Sequence, residues 1–153
     1  MIYVTVGSTH FDELIHAVDE LAASGTNLLP GEIICQIGNG SYLPENTQYF
    51  RYDPDHWRYA KEADLVITHG GASVLYLIRE GIPFVAVANK VLQDDHQTSF
   101  LTALSQICDL CWTDDPGALA RLLSPPPPPV TVNTPALGDY LLQEAFRHAV
   151  SNT

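Results

Sequence analysis

Short apolar runs rich in Val and Ile alternate along most of the chain with stretches of helical period. Ile2 to Val6 predicts a first strand. Phe11, Leu14, Ile15, Val18, Leu21 and Ala22 then fall on one helical stripe, opened by Thr9-His10-Phe11-Asp12 in the manner of a loose capping box. Ile33 to Ile37 and Gln48 to Tyr52 predict the second and third strands, with a short helix around His56 to Glu62. Asp64 to Thr68 predicts a fourth strand, Ala72 to Glu80 a helix and Pro83 to Ala88 a fifth strand. A helix with Phe100, Leu101 and Leu104 inward leads to a sixth strand at Cys108 to Trp112, and Asp115 to Leu123 closes the series as a helix. Strands apolar on both faces and separated by helices predict an α/β fold: a Rossmann-like, doubly wound parallel sheet covered on both sides.

This pattern occupies residues 1–123 as one domain. Five consecutive prolines, Pro125 to Pro129, favour polyproline II and predict a stiff spacer over 124–136. Leu137, Leu141, Ala145 and Ala149, flanked by Tyr140, Leu142 and Phe146, predict an amphipathic helix over 137–150. Its apolar stripe is expected to be buried either against the same domain or on a partner. With 153 residues there is room for one core and not for a two-domain enzyme. Apolar residues are 46% of the chain, yet no run approaches the roughly 20 residues that span a bilayer. A soluble protein is expected, its fold beginning at the first residue without a leader. A net charge of -11 with 7 Lys and Arg argues against nucleic acid and against unaided adsorption to an anionic membrane. The 3 cysteines form no secreted disulfide framework, which fits a reducing, cytoplasmic setting. Cys108-Asp109-Leu110-Cys111 is formally a CxxC, but residues three apart on a strand face opposite ways and no second ligand pair completes a zinc site. Both are expected in the core.

In parallel sheets of this kind, ligands sit beyond the carboxyl ends of the strands. Three loops there carry suitable residues: Gly7-Ser8-Thr9-His10 after strand 1, His69-Gly70-Gly71-Ala72-Ser73 after strand 4, and Asn89 to Gln97 before the next helix. In the second, glycines permit close backbone approach, and the N–H groups opening a helix suit an anion. A diphosphate seat and a tight βα turn both satisfy that pattern. His96 and Gln97 suit sugar or ribose hydroxyls, Gln offering a donor and an acceptor, and suit a solvated helix cap equally. Asp94-Asp95, Asp114-Asp115 and Asp53-Pro54-Asp55 sit at loops and helix starts, where Asp is a favoured cap, so no metal site is expected. Gly38-Asn39-Gly40 reads as a plain turn. His10, His16, His56 and His148 are scattered, with only His10 in a ligand loop.

The segments "VTVGSTHFDELI" at 4–15, "ADLVITHGGAS" at 63–73, "EGIP" at 80–83 and "DDHQ" at 94–97 resemble, in order and spacing, the family 28 glycosyltransferases. The likeness is to the short single-domain members, which include small subunits of dolichol-linked N-acetylglucosaminyltransferases and of bacterial exopolysaccharide transferase pairs. The resemblance implies the donor-binding half of a GT-B enzyme split over two chains, a UDP-sugar-dependent hexosyltransferase active with its partner. The UDP-sugar is then a substrate, with no separate cofactor. A membrane-associated subunit would bring the lipid-linked saccharide acceptor and hold this chain at the membrane. By likeness, Gly70, Gly71, Ala72 and Ser73 would cradle the diphosphate. His96 and Gln97 would contact the donor sugar or ribose, and Gly7, Ser8 and Thr9 would line the opposing wall. His69 and His10 are candidate bases here, unless the acceptor half supplies the base. The chain departs from the family in two places. Its glycine loop is one residue short, and Tyr76 stands five positions before Gly81, where an acidic residue usually holds the ribose. The alternative this keeps open is a non-catalytic nucleotide-sugar-binding or regulatory subunit.

Overall fold

The computed structural model describes residues 1–92 and 95–132, together with Gln143 and Arg147 as isolated positions. The helix expected over 137–150 and the acidic Asp94 lie outside the described residues. Six parallel strands form one sheet in the order β3-β2-β1-β4-β5-β6. They are β1 Ile2–Thr5, β2 Ile33–Gln36, β3 Gln48–Phe50, β4 Leu65–His69, β5 Phe84–Val87 and β6 Trp112–Thr113. The connecting helices are α1 Asp12–Ala23, α2 Trp57–Glu62, α3 Ser73–Glu80, α4 His96–Ser105 and α5 Leu119–Leu122, the last preceded by a 3-10 turn at Pro116–Ala118.

The sheet is apolar on both faces because each is covered. On one, Val4, Ile67, Val85 and Val87 pack with Leu14, Ile15 and Val18 of α1 and with Leu119 of α5. On the other, Tyr3, Val66, Phe84 and Ala86 pack with Val74 and Leu77 of α3 and with Leu101 and Leu104 of α4. Pairing in register runs unbroken from Ile2↔Leu65 to Thr5↔Thr68, so β1 and β4 end side by side at the point where the strand order reverses. No helix among the described residues is long and apolar enough to cross a membrane.

Three expectations need correction. The capping box before α1 does not form: Phe11 is the N-cap and no side chain caps it. Thr9 instead donates to the Val6 carbonyl at 2.8 Å, and the Asp12 carboxylate accepts from the Ser41 N–H. The sixth strand begins later than Cys108, because the end of α4 continues as a turn, with Ile107 and Cys108 N–H both bonded to Leu104 O. Cys108 and Cys111 do pack on opposite faces, one on each core, half-buried. The Gly38 turn is more than a plain turn. At φ +57° it presses on the loop after β1, and a Cβ there would overlap the Thr9 carbonyl oxygen. Beyond the prolines the chain stays against the domain, with Val130 buried and Val132 packed on the second core.

Candidate functional site

A cleft of about 410 Å³ opens at the carboxyl ends of β1 and β4. Its wall contains Gly7, Ser8 and Thr9 from the loop after β1, His69, Gly71, Ala72 and Ser73 at the end of β4, and His96 and Gln97 at the start of α4. Residues from three separate stretches of sequence therefore meet in one place. Thr5, His56, Trp57 and Leu92 complete it. Leu92 belongs to the third loop, whereas nothing in the local sequence marked His56 and Trp57, since α2 reaches the cleft only by folding across the sheet. His10 does not line the cleft; its carbonyl accepts from Asn89 Nδ2 at 2.8 Å.

The glycine pair has a local cause that differs from the expected one. Neither Gly70 nor Gly71 has a positive φ, so backbone conformation does not require them. Space does. A Cβ on Gly71 would stand 2.6 Å from His69 Nε2, and one on Gly70 2.8 Å from Leu101 Cδ1 and 3.1 Å from Gln97 Cβ. Gly70 is thus a packing residue, absent from the cleft wall, and its N–H is already donated to Gln97 Oε1 at 2.9 Å. Its N–H is therefore engaged within the chain. The N–H groups of Gly71, Ala72 and Ser73 are different: among the described residues they have no acceptor, and they open α3, where the helix dipole favours negative charge. The Ser73 hydroxyl lies 2.8 Å from Thr68 Oγ1.

Gln97 is 8% exposed and ties two strand ends together. Its Oε1 accepts from Gly70 N–H beyond β4 and from Asn89 N–H beyond β5, both at 2.9 Å. Only the carbonyl oxygen can accept from two N–H groups, so the amide orientation is determined. The remaining Nε2 carries two donor hydrogens with no acceptor among the described residues. A buried amide donor left unpaired costs about 1–3 kcal/mol, and water or a ligand in the cleft relieves that cost. His69 is 9% exposed, and burial pushes its pKa down to about 4, against a weaker opposing contribution from the Thr5 backbone. It is neutral at ordinary pH.

A doubly wound sheet whose cleft sits at the reversal of strand order, under a helix opened by unpaired N–H groups, has the form of one half of a GT-B glycosyltransferase. Residues 1–120 match the glycosyltransferase family 28 C-terminal domain, and the chain belongs to that family. The human UDP-N-acetylglucosamine transferase subunit ALG13 is 37% identical over 110 residues, which cover 63% of this chain and 9% of that protein's length. Among solved structures, MurG of Acinetobacter baumannii superposes with a TM-score of 0.60 at 23% identity, over 80% of this chain and 40% of that one. A solution structure of ALG13 gives 0.57 at 17% identity, over 95% of this chain and 96% of that one. The two structural likenesses concern the fold.

Proposed function

We propose that this chain is the donor-binding subunit of a two-component glycosyltransferase, which moves a sugar from a UDP-sugar to a polyprenyl-diphosphate-linked acceptor. A membrane-associated partner supplies the acceptor site and keeps this chain at the membrane. The observation that carries the reading is Gln97: its amide is oriented by two backbone bonds, with an unpaired donor in a cleft that also holds unpaired N–H groups. Such a wall suits a ligand rich in oxygen acceptors. Family membership and the likeness to a UDP-N-acetylglucosamine transferase subunit support UDP-linked sugars as that ligand.

In sugar transfer the leaving UDP gains negative charge on its diphosphate, and donors aimed at that charge lower the barrier. Gly71, Ala72 and Ser73 N–H are assigned this part, and Gln97 Nε2 binds a donor hydroxyl. The acceptor hydroxyl must lose a proton as it attacks. His69 is enclosed in the wall between Gly7 and Gly71, so the base is assigned to the acceptor half.

Gln97→Glu tests the reading because a carboxylate retains both acceptor bonds while losing the donor. Titration calorimetry with UDP should show binding to the wild-type chain and at least about tenfold weaker binding to the variant, the scale of one lost polar contact with a like charge added. Transfer by the chain together with its membrane partner should fall in parallel. Absence of UDP binding by the wild type, alone or with the partner, overturns the proposal. UDP binding with no transfer by the assembled pair favours the regulatory reading, for which Tyr76 in place of an acid is the motive.

A further inference from the structure

The cleft wall contributed by α2 carries a hydrogen-bond chain whose directions can be worked out atom by atom. Gln36 is fully buried, and its Nε2 donates to the Gly7 carbonyl at 3.0 Å. A carbonyl only accepts, so the nitrogen must face Gly7 and Oε1 must face Tyr3. Tyr3, likewise fully buried, therefore gives its single hydroxyl proton to Gln36 Oε1 at 2.7 Å. With that proton committed, the Tyr3 oxygen can only accept from its other neighbours, the Thr5 hydroxyl and His56 Nδ1, the latter at 3.4 Å. The His56 proton accordingly sits on Nδ1, and Nε2 is left with a lone pair. Nε2 has no partner among the described residues, and His56 lines the cleft.

The ring is also held from the side. His56 lies against Trp57 with centroids 4.4 Å apart, and Trp57 stacks on Tyr76 at 4.0 Å and 25°. The Arg79 guanidinium lies 5.3 Å from the Tyr76 centroid. Tyr76 is thus turned to an aromatic neighbour and serves to steady the wall. Burial lowers the His56 pKa against the opposing pull of Asp53 and Asp55, which keeps the ring neutral at physiological pH.

We propose that His56 is a ligand-binding residue, whose Nε2 accepts a hydrogen bond from a hydroxyl of the bound nucleotide sugar. This acceptor is contributed by the N-cap of α2, with Tyr3, Trp57 and Tyr76 as positioning residues. The inference rests on the nucleotide-sugar reading above and deepens it.

The test compares wild type, His56→Phe and His56→Gln by titration calorimetry with UDP, 2′-deoxy-UDP, 3′-deoxy-UDP and UDP-N-acetylglucosamine. Phe preserves the ring and removes the acceptor; Gln places an amide oxygen near the position of Nε2. His56→Phe should weaken binding about fivefold, as expected for one neutral hydrogen bond, and His56→Gln should recover most of it. A loss seen with UDP and abolished with one deoxy analogue assigns a ribose hydroxyl. A loss seen only with UDP-N-acetylglucosamine assigns a hydroxyl of the sugar. Equal binding by His56→Phe and wild type overturns the inference and leaves the nucleotide-sugar reading standing. So does a loss that Gln fails to rescue, or one that persists undiminished with both deoxy analogues. If the wild type binds none of the four, the parent reading fails, and this one with it.

Discussion

At the scale of single residues, His69 shows how the end of β4 is built. Its ring lies between two glycines: a Cβ on Gly7 would be 3.4 Å from Cε1, and one on Gly71 2.6 Å from Nε2. The glycine pair after β4 was legible as a place where backbone needs room, but not as room taken by this chain's own side chains. Gln97 and Leu101 come from 27 and more positions downstream, so no local reading could supply them. The depth of His69 has a measurable consequence. In the folded chain its pKa is about 4, below the ordinary 6.5. As pH falls through 6.5 the unfolded chain takes up a proton that the folded chain refuses. This contribution is therefore complete above 6.5, shrinks down to about 4 and is constant below. Its size is about 3 kcal/mol from the separation of the two values. Urea unfolding from pH 7.5 to 4 should show stability falling across that window, and His69→Gln should flatten the fall. An unchanged slope in the variant would mean that other groups cause it.

At the scale of elements, α1 does more than cover the sheet. Asp19 is 2% exposed, and its carboxylate takes the Tyr42 hydroxyl at 2.7 Å, Glu45 N–H at 3.1 Å and Asn46 N–H at 2.7 Å. Burial alone would raise its pKa, yet these donors outweigh burial and hold it below 3.8. That stability is lost only as pH falls below about 3.8, beneath the His69 window. Asp19→Ala leaves these donors without their acceptor and should lower the unfolding free energy by about 3 kcal/mol, with faster amide exchange concentrated in residues 42–46. Global loss without that local signature would count against the assignment. None of this was legible in the sequence, where Asp19 reads as the polar neighbour of an apolar stripe. The strands β1, β2, β4 and β5 were legible, to within a residue or two, because a sheet covered on both faces leaves apolar runs rich in Val and Ile. The sixth strand was not, because the turn ending α4 is as apolar as the strand it precedes.

At the scale of the whole molecule, the polyproline segment is joined to the domain at its far end. Val130 is 9% exposed within the second core, so Val130→Asp should lower stability by about 2 kcal/mol or more, from lost burial and a desolvated charge. Denaturant unfolding indistinguishable from wild type would show that the segment is an unattached tether. The three loops were legible as ligand loops because parallel strands present them at their carboxyl ends, and the resemblance implied that they share one cleft. The α2 wall was not, because Tyr3, Gln36 and His56 form their chain only once three elements are assembled. Gln97 bears on how such a protein can change over time. One arm of its amide joins the ends of β4 and β5 while the other faces the cleft, so selection on ligand choice and selection on folding act on one side chain. New specificity is more readily reached through Ser8 and Ala72, exposed on the same wall, where a side chain can change without unfastening two strands.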